Sequence, residues 1–101
     1  MEKAVKRMMK FAGSNKYEIR FEWINKKTYG DIDFGKKIIR INLFLFVSET
    51  YIHEYLHYRG IGKEKATEIG TEYFLKRMRV SQIKKLAKKV LRRRKRKRFL
   101  S

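Results

Sequence analysis

The stretch "KIIRINLFLFVSETYIHEYLHYRGIG" (residues 37–62) decides the fold, because its periodicity changes part-way along. "KIIRINL" (residues 37–43) is a candidate strand, and so is the preceding "TYGDIDF" (residues 28–34). With Gly35-Lys36 between them the two read as a hairpin. "LFLFV" (Leu43–Val47) then leads to Ser48, a helix N-cap by residue type, with Glu49 in the first turn. The pattern predicts a helix over 49–59, ended by Gly60-Ile61-Gly62, whose glycines suit a C-cap and a tight turn. A hairpin that runs straight into a helix points to the α+β class.

Outward from this segment the pattern is consistent. Residues 2–13 place Val5, Met8, Met9 and Ala12 at helical spacing, with Gly13-Ser14-Asn15 as a stop. "YEIRFEWI" (Tyr17–Ile24) alternates as a half-buried strand. Downstream, a helix from Lys63 or Glu64 to Arg79 is expected to bury Ala66, Ile69, Gly70, Tyr73 and the stem of Arg77. Ser81 can cap a last helix, where Ile83, Leu86, Ala87, Val90 and Leu91 form a stripe before "RRRKRKR". The expected fold is α+β: an N-terminal helix, a small three-stranded mixed or antiparallel sheet, an active-site helix, a glutamate-bearing helix and a basic C-terminal helix. Residues 1–80 form the domain and 81–101 a basic helical extension.

A chain of 101 residues is the size of one domain, and an apolar share of 43% argues against wholesale disorder. It has no cysteine, which excludes disulfides and thiolate metal sites and leaves histidine and carboxylate as ligands. "MEKAVKRMMK" has no apolar run resembling a secretory signal, and "LFLFV" is far too short to span a bilayer. A cytoplasmic protein with no membrane partner is therefore expected. Few Gln, no Pro and abundant Lys, Arg and Glu lean toward a thermophilic source.

The only two histidines stand four residues apart in "HEYLH" (His53–His57). On a helix they share a face one turn apart, so both imidazoles can point at one zinc ion at about 2.0–2.1 Å. Glu54, rotated by about 100° from His53, can reach a zinc-bound water as general base and acid. This is the chemical logic of H-E-x-x-H. A catalytic site needs a third protein ligand, which here must be a carboxylate. Glu64, Glu68 and Glu72 all lie in the next helix. Glu68 is expected to reach the level of the histidines. Glu64 is nearer the turn, and Glu72 deeper, where it could orient a histidine.

With these residues the chain resembles the gluzincin metallopeptidases, and more narrowly the minimal archaeal minigluzincins. The resemblance rests on His53-Glu54-x-x-His57, a short Gly turn and a downstream glutamate, and it covers most of the chain. It implies a zinc metallopeptidase with one ion held by His53, His57 and Glu68, and Glu54 as the catalytic acid/base. It further implies a latent zymogen whose C-terminal segment obstructs the cleft. The strand "KIIRIN" (Lys37–Asn42) would offer its edge to an extended peptide. Many gluzincins also use a Tyr or His to stabilise the oxyanion; Tyr51, Tyr55, Tyr58 and Tyr73 are the candidates.

The formal charge is +18, and eleven Lys/Arg with no acid lie between Lys84 and Arg98. Such a block suits nucleic acid through its phosphates, in a salt-sensitive and sequence-blind way. The alternative function is therefore a nucleic-acid-binding module in which zinc is structural or absent. The expected partners are a peptide or protein substrate, the inhibitory C-terminal segment, and nucleic acid on the basic run, with a homodimer left open.

Overall fold

The strand-to-helix junction sits at Asn42. The computed structural model describes the backbone of residues 1–100 and the side chains of residues 1–93. In chain order the elements are helix α1 (Glu2–Ala12), strands β1 (Glu18–Phe21), β2 (Gly30–Asp33) and β3 (Ile38–Ile41), then helices α2 (Leu43–Tyr58), α3 (Glu64–Arg77) and α4 (Val80–Leu100). Four helices and one small sheet make this an α+β fold.

Asn42 is completely buried. Its side-chain oxygen accepts from the Leu45 N–H at 3.4 Å, and its amide donates to the Asn25 and Thr28 carbonyls at 2.9 and 3.0 Å. One residue thus caps α2 and staples the β1–β2 connection against it. The cap corrects the expected helix start at 49: "LFLFV" forms the opening turns of α2, with Leu45 turned into the core. Ser48, expected as the cap, is instead buried mid-helix, where its hydroxyl donates to the Ile83 carbonyl of α4 at 2.8 Å.

The sheet has the order β1-β3-β2, with β1 parallel and β2 antiparallel to β3. The expected hairpin is β2–β3. Its turn is closed by the Asp33 carboxylate, which accepts from the Lys36 N–H at 2.9 Å, and by Lys37 in the left-handed region at φ 56°. The free edge expected of "KIIRIN" is corrected: β3 is the central strand, paired on both sides, and the open edges belong to β1 and β2. The connection from Glu22 to Tyr29 is long enough to carry β2 past β3, which leaves β3 in the middle.

The core lies between α2, α3 and α4. Leu45, Ile52 and Leu56 of α2 meet Leu75 of α3 and Ile83 of α4, with Trp23, Ile61, Met78 and Leu86 packed at the margin. Each such side chain contributes about 1.5–3 kcal/mol on burial. The expected inward face of α3 is also corrected. Ile69 and Tyr73 are 61% and 50% exposed, Ala66 and Arg77 are exposed, and the buried residues are Thr67, Thr71 and Leu75. Threonine tolerates this because its hydroxyl can bond back along its own helix: Thr67 donates to the Lys63 carbonyl at 2.9 Å and Thr71 to the Thr67 carbonyl at 2.7 Å. Gly70 lets α3 approach closely, since a Cβ there would fall 2.9 Å from Leu56 Cδ1.

The expected stripe of α4 is largely the observed one: Ile83 and Ala87 are fully buried, while Leu91 is 36% exposed. Ser81 does not cap this helix. Gln82 reaches back instead, its side-chain oxygen accepting from the Arg79 N–H at 2.8 Å in the manner of a capping box. Core packing therefore continues beyond residue 81. The side chains from Arg94 onward, which carry much of the expected inhibitory and nucleic-acid-binding segment, lie outside the described residues. Among the described residues no helix is long and apolar enough to cross a membrane.

Candidate metal centre

His53 and His57 each follow a core residue of α2, Ile52 and Leu56. Burial of those two fixes the rotation of the helix, so the histidines lie at the margin of the core with side chains 22% and 28% exposed. Their Nε2 atoms are 3.2 Å apart. Glu64 closes the triangle, with Oε1 2.7 Å from His53 Nε2 and Oε2 3.3 Å from His57 Nε2. Ligands at about 2.0–2.1 Å around a tetrahedral ion stand about 3.3 Å from one another. Two of the observed separations, 3.2 and 3.3 Å, are of that size, and the third, 2.7 Å, is shorter by about 0.6 Å. Two imidazoles and a carboxylate on one point form a group that could hold a metal ion.

The Gly turn does more than end the helix. Gly60, at φ +101°, donates its N–H to the His57 carbonyl at 3.0 Å, and Ile61 donates to the Leu56 carbonyl at 3.1 Å. This is the Schellman arrangement. It carries the Ile61 carbonyl to His57 Nδ1, 2.8 Å away. A carbonyl oxygen only accepts, so Nδ1 carries a ring proton, and in the neutral imidazole that leaves the Nε2 lone pair for a metal. The turn thereby sets the tautomer that ligation requires.

Glu64, Glu68 and Glu72 end up in different places. Lys63 is extended (φ −84°, ψ 126°) and leads directly into α3, so the helix's first residue, Glu64, already reaches the histidines. Glu68, expected as the third ligand, is outside this three-residue group. It lines a cleft of about 650 Å³ that opens beside His53, as does Glu72. The other walls of the cleft include Tyr29 and Lys27 from the β1–β2 connection and Glu49 from α2. Glu54 lies exposed on α2, immediately after His53.

The tyrosines singled out from the sequence, Tyr51, Tyr55, Tyr58 and Tyr73, are 43% to 83% exposed, and none lines the cleft. Tyr29 does, and its hydroxyl donates to the Glu49 carboxylate. Its pKa is pushed up to about 12, first by burial and then by that hydrogen bond to an anion. The Tyr29 carbonyl in turn accepts from the Asn42 N–H at 2.7 Å. No pattern in the sequence joins Tyr29 to Glu49; the link depends on the loop that Asn42 holds.

No protein family, no curated protein and no solved structure matches this chain.

Proposed function

We propose that this chain is a zinc-dependent peptidase whose metal is held by His53, His57 and Glu64. What supports the reading is the convergence of the two Nε2 atoms and the Glu64 carboxylate, with one of the three residues, His53, also lining an open cleft. The donor set is nitrogen and oxygen with no thiolate, which suits zinc. When bound, zinc supplies Lewis acidity and lowers the pKa of a water to about 7. Glu54, next to His53 but outside the three-residue group, is assigned the proton transfer in this reading, accepting a proton at its carboxylate and returning it to the leaving amine. The cleft beside His53 receives the peptide, and the C-terminal segment restrains access to it in the intact chain. An acid next to a ligand has no use in a purely structural site, which is why Glu54 favours hydrolysis.

Metal analysis of the purified wild type and of Glu64→Ala and Glu68→Ala tests the centre. About one zinc per wild-type chain, lost in Glu64→Ala and kept in Glu68→Ala, is the expected result; the reverse pattern would transfer the ligand role to Glu68. Cleavage of a peptide library by wild type, by Glu54→Gln and by a chain ending at Arg93 tests the chemistry. The cut falls there because Ile83 and Ala87 belong to the core. Cleavage absent from every form, with zinc bound, would remove the peptidase reading. The eleven bases between Lys84 and Arg98 favour a second reading, phosphate-driven nucleic-acid binding. It requires retention on DNA that falls steeply with salt and disappears when that run is neutralised.

A further inference from the structure

The aromatic residues of α2 and the bases of α4 are far apart in the sequence, and the fold sets them side by side. At about 100° per residue, Phe44, Tyr51, Tyr55 and Tyr58 fall within an arc of about 60° on α2. They make one row along the helix, about 21 Å from first to last at 1.5 Å per residue. His53 and His57 lie about 130–170° round from the row's centre, so the row and the metal centre do not share a face. Tyr51 and Tyr55 are 43% and 45% exposed, and Tyr58 is 83% exposed. Their rings form a chain. Tyr51 and Tyr55 have centroids 6.3 Å apart with planes 17° from parallel, and Tyr55 and Tyr58 are 6.4 Å apart at 33°.

The charge comes from α4. Two contacts fix how it lies: the Ser48 hydroxyl donates to the Ile83 carbonyl at 2.8 Å, and Lys88 Nζ stands 5.9 Å from the centre of the Phe44 ring. α4 therefore runs antiparallel to α2 on the side of the aromatic row, with Lys88 level with its first ring. Lys84, one turn before Lys88, shares that flank and is half-buried. Lys85, Lys89, Arg92 and Arg93 continue the charge round α4, whose sequence contains no acid. The carboxylate of α2 on this side is Glu54, about 70° round from the centre of the row.

We propose that this face binds single-stranded nucleic acid, with the tyrosine rings stacking on unpaired bases and Lys84 and Lys88 holding phosphates. The proposal rests on the second reading given above, nucleic-acid binding by the basic run, and adds the strand form and the residues that select it. Exposed rings alone suit many partners. Beside a helix without acids, in a chain of net charge +18, they match a polyanion that carries ring faces of its own. Bases offer those faces only when unpaired, so a duplex can use the lysines but not the rings. Every base has such a face, and recognition is therefore of strand form rather than of sequence.

Fluorescence anisotropy of the full chain with a labelled oligothymidylate about 15 nucleotides long, and with a duplex of the same length, tests the proposal. The single strand is expected to bind more tightly. Tyr55→Leu and Tyr58→Ala should each weaken single-strand binding by about 5- to 100-fold, the value of one stacked base, and leave duplex binding unchanged. Tyr58 is 83% exposed, so its removal spares the core and decides the matter even if Tyr55→Leu disturbs α2. Lys88→Gln should lower the slope of log affinity against log salt by about 0.7–0.9 for both forms. Equal binding of the two forms, or single-strand binding indifferent to both tyrosine variants, overturns the proposal and leaves the basic-run reading standing. Retention of neither form at low salt removes both. Self-association that Tyr58→Ala abolishes, without single-strand binding, overturns the proposal by assigning the row to a second copy.

Discussion

Gly60 and Gly62 look interchangeable in the sequence, yet the structure makes only one of them indispensable. At Gly60, φ is +101°, a conformation that costs an L-residue about 1–2 kcal/mol, and an added Cβ there would meet nothing within 4 Å. The penalty of Gly60→Ala is therefore backbone strain alone, without a clash. Gly62 is not among the positive-φ residues, and its Cβ would likewise be free. Both substitutions remove about the same backbone entropy from the unfolded chain, a gain of about 0.4–1 kcal/mol where the native conformation tolerates alanine. In the difference between the two variants that gain cancels, so Gly60→Ala should be about 1–2 kcal/mol less stable than Gly62→Ala. At about 4–8 °C per kcal/mol for a domain of this size, thermal denaturation followed by circular dichroism resolves the difference. The turn also delivers the Ile61 carbonyl to His57, so zinc affinity should fall by about 10–100-fold in Gly60→Ala, as for other groups that orient a ligand. Competition against a chromogenic chelator measures that fall. Equal stability and equal zinc affinity in the two variants would refute the role given to the turn.

Ile83→Ala should destabilise by about 2–5 kcal/mol, because Ile83 is fully buried between α4 and α2; a loss under 1 kcal/mol in urea titration would show that α4 is not part of the core. Asn42→Ala removes a helix cap and two further hydrogen bonds, so it should cost more than the roughly 1 kcal/mol of a simple cap. A Tyr29 fluorescence or exchange signal that stayed unchanged in that variant would contradict the stapled loop. The pH response follows from Asp31, whose pKa is held below the ordinary carboxylate value chiefly by its hydrogen bond to Arg40. Its unfolded-state pKa is the higher of the two. The stabilisation is thus present above that value and is lost as pH falls through the lowered one. Arg40→Gln should flatten the acid limb of the stability curve, and an unchanged limb would count against the pair.

How much of this was legible in the sequence depends on whether local or long-range chemistry set each feature. The order of elements, the β2–β3 hairpin and the inward stripe of α4 were readable because spacing alone specifies them. The start of α2 was not, because "LFLFV" has no helical spacing of its own and the cap is Asn42 rather than the better-placed Ser48. Asn42 is informative only once its amide is seen to bind Asn25 and Thr28, 17 and 14 residues away. The central position of β3 was hidden for a similar reason: chain order suggests neighbours, while the sheet inserts β3 between β1 and β2. His53 and His57 were legible as a pair because helical pitch guarantees it. Tyr29 was not, since its partner lies across a fold the sequence does not display.

The identity of the carboxylate beside the histidines follows from which face α3 buries. At about 100° per residue, Thr67, Thr71 and Leu75 span an arc whose centre lies close to Thr71. Measured from that centre, Glu64 is displaced by about 20°, Glu68 by about 60° and Glu72 by about 100°. Had α3 buried Ala66, Ile69, Gly70 and Tyr73, as apolarity suggests, all three glutamates would have turned away from α2. The threonine face is what brings them to the histidine side, and it ranks them: Glu64 looks at α2, whereas Glu68 and Glu72 lie progressively round the flank that forms the cleft wall. An inward stripe of apolar residues and a glutamate pointing at His53 were therefore incompatible expectations on one helix. Their conflict is resolved by two hydroxyls that bond their own backbone and so can be buried as if they were apolar.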